Sequence, residues 1–129
     1  MIVVKVKKQS GYPVNVIKLK KTLSDFFKQK GIVSEAEVSV AIISETKMKD
    51  LAKKFLKESP PSVHNVLSFV SDESGEFVSP EGKIYLGEIV VCYQKVIEEA
   101  RKEGKLIDTK TEELVLHGAL HLLGIHHEE

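Results

Sequence analysis

The chain ends in HGALHLLGIHHEE, residues 117–129, and four of its five histidines fall in that stretch. On an α-helix, residues four apart stand one turn apart on the same face. His117 and His121 therefore present two imidazoles to one point. Gly124 then interrupts the helical pattern with a residue that accepts the left-handed conformation needed to reverse a chain. A chain turning there carries His127 back toward the same point. The pattern H-x-x-x-H-x-x-G-x-x-H is the ligand spacing of a three-histidine catalytic zinc site. Three protein ligands leave one coordination position for water, whose pKa the cation lowers from about 16 toward roughly 7–9.

Blander readings are weaker. One helical histidine is ordinarily a surface or satisfied core residue, and two at i, i+4 are often accidental, but three around a helix-ending glycine form a register. A purification tag does not fit, because Leu, Gly and Ile interleave the histidines. A purely structural metal site needs a fourth ligand, for which His126 is the candidate. Zinc proteases carry glutamate directly after the first histidine, where it acts as base; here that position is Gly118. The protease mechanism is therefore disfavoured. A helical glycine costs about 1 kcal/mol relative to alanine, so Gly118 is expected to serve close packing against another element.

The elements that must position these residues follow from periodicity. IVVKVK (2–7) reads as a strand, and Pro13 opens a helical stretch to about Lys30 that Gly31 ends. VSVAII (38–43) alternates as a second strand. Ser44 caps a lysine-rich amphipathic helix. ESPPSVH is a loop, since Pro60 and Pro61 fit neither a helix interior nor a central strand. NVLSFV (65–70) is a third strand, residues 71–83 form a polar, turn-rich loop, and IYLGEIVV (84–91) is a fourth strand. A helix from Cys92 closes at Gly104. Thr109 with Glu112 fits a capping box opening a last helix through Leu123. The two middle strands are placed to form a hairpin across 71–83. The expected fold is one α/β (α+β) domain over residues 1–129, a mixed sheet of about four strands with packed helices.

Composition bounds the rest. A length of 129 residues with 42% hydrophobic content suits one core. No apolar run reaches the roughly 20 residues of a membrane span, and the N-terminus lacks a signal peptide's order of regions. A cytoplasmic protein with no membrane partner is expected. The single cysteine, Cys92, allows no internal disulfide and reads as a small buried residue. Net charge is zero, yet residues 1–57 hold thirteen lysines against five acids and residues 58–129 six basic residues against fourteen acids, +8 and −8. The basic half hints at a polyanionic partner; the alternative is lysines that merely solvate helix faces. The zero overall charge argues against tight non-specific nucleic-acid binding.

Three segments carry a resemblance. HGALHLLGIHH is similar to the H-G-x-L-H-L-x-G-x-D-H signature of the YbeY endoribonucleases, bacterial proteins of ribosomal RNA maturation. HNVLSF (64–69) resembles that family's T-(D/N)-V-L-S-F strand, and LGEIVVC (86–92) its L-G-D-I-V-I-C strand. Order and spacing agree over most of residues 38–127. The resemblance implies a zincin-like domain and one metal ion, Zn2+ or another divalent cation, held by His117, His121 and His127. It further implies single-strand-specific RNA cleavage in 3′-end maturation of small-subunit 16S rRNA and in ribosome quality control. Ribosomal RNA, the ribosome and associated factors are the implied partners.

Departures qualify the activity. His126 replaces the family's aspartate before the last histidine, and His64 its threonine. The family's phosphate-contacting arginine has no counterpart: the only arginine, Arg101, lies in a different helix, and the matching region offers Lys57. Lysine neutralises phosphate but does not grip it as a bidentate fork. Relatives also continue into another helix, whereas this chain stops two residues after His127. His126 and Lys57 are the candidates for proton transfer and phosphate contact. The lysine-rich segments, Lys53 and Lys54 included, are candidates for an RNA track, and Asn65 and Ser68 for lining the cleft. The competing readings are a catalytically weak or inactive metal-binding ribosome-associated factor, and a metal hydrolase acting on another substrate.

Overall fold

The computed structural model describes residues 2–70 and 84–124. The 71–83 loop and the tail carrying His126 and His127 lie outside the described residues. The elements follow the order β1 (Ile2–Lys8), α1 (Val16–Gln29), β2 (Ala36–Ile43), α2 (Glu45–Phe55), β3 (Val66–Val70), β4 (Ile84–Cys92), α3 (Tyr93–Glu103) and α4 (Ile107–Leu122). The four strands form one mixed sheet in the order β1-β2-β4-β3. The β1–β2 and β2–β4 pairs are parallel and β3–β4 is antiparallel. This is the α+β single-domain architecture expected, with β3 at an edge.

Strand β2 explains the layering. Ala36, Val38, Val40 and Ile42 are buried in strict alternation, so one face of the sheet is core. On that face Leu19, Leu23 and Phe27 of α1 pack with Val40, Ile89 and Val91, and Val96 of α3 and Val115 of α4 complete the cluster. The other face carries a small cluster of Met48 from α2 with Val90 and Cys92. Cys92 is fully buried, as expected, and burial pushes its thiol above its usual pKa.

Two helix starts differ from the sequence reading. α1 begins at Val16, not Pro13, because the Asn15 side chain accepts a hydrogen bond from the Lys18 amide at 3.0 Å. α4 begins at Ile107 rather than at a Thr109–Glu112 capping box. Glu112 is drawn instead to α1, accepting from the Thr22 hydroxyl at 3.2 Å and lying 3.7 Å from the Lys18 ammonium. Asp108, in the first turn, accepts from the Asn15 amide at 2.9 Å and so ties the starts of both helices. Elsewhere the local signals hold: Ser44 caps α2 through the Lys47 amide at 3.3 Å, and Gly104 closes α3 in the left-handed conformation.

Candidate metal centre

Helix α4 is held at both halves of its length, to α3 in the first and to the sheet in the second. In its first half the Lys110 ammonium, almost wholly buried, meets Glu103 at 3.1 Å, Glu99 at 3.3 Å and Glu113 at 3.5 Å. Burial works against that charge, but the bonds to Glu103 and Glu99 outweigh it and hold the ammonium above its usual pKa. The same network, with Lys105, holds the carboxyls of Glu103 and Glu113 below theirs.

The second half is fixed by a close approach. A Cβ at Gly118 would sit 2.7 Å from Ile89 Cγ2, 2.9 Å from Ser68 Oγ and 3.3 Å from Val66 Cγ2. Only a residue without a side chain lets α4 descend this far onto β3 and β4. The Ser68 hydroxyl donates to the Gly118 carbonyl at 2.9 Å, which sets the helix's height over the edge strand. The sequence expectation that Gly118 serves close packing is thus met, with β3 and β4 as the partner elements.

One turn of helix across this contact carries the imidazoles. His117 and His121 are half-buried, their ring centroids 4.7 Å apart and their planes 58° apart. Their Nε2 atoms face each other at 3.1 Å. Two nitrogens each about 2.0–2.1 Å from one tetrahedral zinc ion stand about 3.3 Å apart, so this pair fits a shared cation. The rings border a cavity of about 190 Å³ walled by Val66, Leu67 and Ser68 of the edge strand. His127, the expected third ligand, and His126 lie outside the described residues. Among the described residues no group of three or more His, Cys, Asp or Glu side chains is assembled for a metal.

The remaining candidates scatter. Ser68 lines the cavity, as expected, but its hydrogen is committed to Gly118. The Asn65 side chain turns toward α3, donating to the Glu99 carboxylate at 3.2 and 3.4 Å. Lys57 follows α2 in the left-handed conformation, exposed, and does not line the histidine cavity. Lys53 is exposed on α2, while Lys54 borders a separate cavity between α2 and the sheet. His64 is bound locally: its Nε2 lies 2.9 Å from Glu58 and 3.3 Å from the Ser62 hydroxyl. The backbone and hydroxyl of Ser62 hold the Glu58 carboxyl below its usual pKa, with His64 adding to the effect. Sequence reasoning missed Val66 and Leu67 as cavity walls. The alternation of NVLSFV placed them on a strand, but nothing local marks that strand as an edge beside the histidines.

The family model described as Endoribonuclease YbeY matches residues 5–129. An endoribonuclease YbeY of Azoarcus sp. is 36% identical over 101 residues, 78% of this chain and 39% of that protein. One of Macrococcus caseolyticus is 33% identical over 77% of this chain and 64% of its own length. One of Moorella thermoacetica is 29% identical over 93% of this chain and 80% of its own. The chain thus spans less than two thirds of the first two relatives. The solution structure of TM1509 from Thermotoga maritima superposes with a TM-score of 0.56 at 29% identity, covering 99% of this chain and 75% of that one. With a family match over nearly its whole length, and with the paired imidazoles where the signature puts them, the chain belongs to the YbeY endoribonuclease family.

Proposed function

We propose that the protein is a zinc-dependent, single-strand-specific endoribonuclease of the cytoplasm. Its place is 3′-end maturation of 16S ribosomal RNA and ribosome quality control, with the ribosome and its associated factors as partners. The observation that carries this reading is the 3.1 Å approach of the His117 and His121 Nε2 atoms beside a cavity at the sheet's edge. Family membership supplies the reaction class. No helix among the described residues is long and apolar enough to cross a membrane.

His117, His121 and His127 are the residues that would hold the ion. A bound divalent cation supplies Lewis acidity, stabilising the negative charge that grows on phosphoryl oxygens during cleavage. The chain's own contribution is positional. Gly118 and Ser68 set the height of α4, and hence of both rings, over the edge strand. Val66 and Leu67 of the edge strand β3 wall one side of the cavity. His126 is the candidate for proton transfer. Lys57 remains the candidate phosphate contact, acting from beyond the cavity's immediate lining.

The decisive experiment pairs elemental analysis of untagged protein with cleavage of single-stranded and duplex RNA by the same sample. Wild type is expected to carry about one zinc per chain and to cut single strands. His121→Ala is expected to lose the metal and at least about a hundredfold in cleavage, as loss of a group central to the chemistry does. Full cleavage by metal-free His121→Ala would overturn the proposal. One observation favours a second reading, a metal-binding ribosome-associated factor with weak turnover: no cationic lysine or arginine lines the cavity among the described residues. Metal-loaded protein that binds ribosomal RNA without cutting it would select that reading.

A further inference from the structure

The second face of the sheet has a feature the histidine centre does not use. Among the described residues three helices, α1, α3 and α4, join the large core, and α2 alone packs on the opposite face. Along the flank of α2 run two adjoining cavities. One, of about 390 Å³, is lined by Ile43, Lys47, Asp50, Leu51, Lys54 and Phe55. The next, of about 280 Å³, shares Ile43 and Lys47 and adds Lys7, Lys8 and Ala41. Together they form one groove. Ala41 and Ile43 of β2 give it an apolar floor. Lys47 and Lys54, seven residues apart on one helix face, supply one wall, and Lys7, in register with Ala41, supplies the other; Lys8, in register with Ile42, borders the groove only from the end of β1.

The groove's charge is lopsided. Among the described residues four lysines border the groove against a single acidic residue, Asp50. Among the described residues none of these four lysines forms an ion pair, whereas Lys5, Lys18, Lys21 and Lys110 all do. At the groove's end the ring of Phe55, 54% exposed, packs on Phe69 with centroids 5.4 Å apart and carries the Lys54 ammonium 5.3 Å from its centroid. Phe69 directly follows Ser68, and Ser68 lines the histidine cavity. The two residues point to opposite faces of the edge strand. A chain leaving the groove at Phe55 therefore has only the width of β3 to cross before it reaches the imidazoles.

We propose that this groove is a binding track for single-stranded RNA, remote from the cut and continuous with it over the β3 edge. Phosphates lie against Lys7, Lys47 and Lys54, and bases against Ile43 and the half-exposed ring of Phe55. The inference rests on the endoribonuclease reading and extends it to a second site on the opposite face. Lysines spaced along an apolar floor with a half-exposed aromatic ring match a polymer that alternates charge with flat apolar faces. A duplex hides those faces in its stack, and an acidic peptide lacks them.

The test is fluorescence anisotropy of a labelled single-stranded oligoribonucleotide across a salt series. The proteins compared are wild type, Lys47→Gln/Lys54→Gln and Phe55→Ala, with equal urea midpoints as the check on folding. Each lost single-strand phosphate contact removes about 0.7 from the slope of log affinity against log salt. The double lysine variant is therefore expected to flatten the slope by about 1.4. Phe55→Ala is expected to weaken binding about tenfold through lost stacking while leaving the slope in place. Wild-type slope and affinity in both variants would overturn the track. So would a poly-glutamate peptide of matched charge competing as well as RNA. Cleavage is scored on the same wild-type sample: protein that binds through these residues but never cuts supports the groove and overturns the endoribonuclease reading, so the two failures are separable.

Discussion

On one face of the sheet three helices bury Leu19, Leu23, Phe27, Val40, Ile89 and Val115, and on that side α4 holds two imidazoles at a set separation. On the other face one helix buries Met48, Val90 and Cys92 and leaves Phe55, Leu56 and Val70 about half exposed. The difference concerns what each face must do. A site whose two nitrogens must converge on one ion tolerates errors of only a few tenths of an ångström, and close-packed interiors supply that rigidity. A groove that accommodates a polymer of varied sequence needs lysine reach and open apolar surface rather than fixed coordinates. The thick face buys precision; the thin face leaves room.

The largest test of this contrast is truncation on each side. Phe27 and Met48 are both fully buried. Phe27→Ala leaves a void enclosed on all sides and is expected to cost about 3–5 kcal/mol. Met48→Ala empties a small cluster whose neighbours Leu51, Leu67 and Phe69 are only partly buried and can settle inward, and is expected near the lower end of the range, about 2 kcal/mol. Urea denaturation of both variants reads the difference. A Met48→Ala cost equal to or above that of Phe27→Ala would mean the second face is packed as tightly as the first.

A smaller effect, but one aimed at the centre itself, comes from Gly118→Ala. Helix propensity alone favours the alanine by about 1 kcal/mol. The added methyl would nevertheless meet Ile89 at 2.7 Å and the Ser68 hydroxyl at 2.9 Å. Neither is the free end of a long flexible chain, so α4 must lift or β3 must yield, at about 1–3 kcal/mol. On the proposed metal centre, the expected outcome is a lowered urea midpoint together with weaker zinc binding, although neither His117 nor His121 has been touched. A stabilised variant with wild-type zinc affinity would show that the contact does not position the rings.

The contrast also separates what was legible in the sequence from what was not. Signals carried within a few residues read correctly. The alternation of VSVAII gave the core face of β2, Ser44 gave the start of α2, Gly104 closed α3, and the four-residue spacing of His117 and His121 put two nitrogens 3.1 Å apart. The antiparallel pairing of the two middle strands across 71–83 also read correctly. Readings failed where a distant partner outbid a local one. Glu112 was read as part of a cap, but Thr22, 90 residues away, takes its carboxylate. Asn65 was read as lining the cleft, but Glu99, 34 residues on, takes its amide. Pro13 is a plausible helix opener in isolation, yet the better cap at Asn15 sets the start. Lysines show the same limit. Their number in the basic half was visible, but which of them share a groove depends on Lys7 of β1 and Lys47 of α2 meeting over Ile43.

The finest test lies on the strand between the two faces. Ser68 borders the histidine cavity, a position that suggests contact with substrate, yet its hydroxyl donates to the Gly118 carbonyl at 2.9 Å. If positioning is its role, Ser68→Ala removes one partly buried hydrogen bond, at about 0.5–1.5 kcal/mol of stability. It then loosens the height of α4 above the edge strand. The rings are then held less firmly, so zinc affinity and kcat fall together while KM for a short RNA stays near wild type. Contact with substrate predicts the opposite division, a raised KM with zinc affinity unchanged. The hydrogen-bond geometry favours the first pattern because the donor is already spent on the helix. Observing the second would move Ser68 from the scaffold of the rigid face into the recognition of RNA, and would blur the division of labour between the two sides of the sheet.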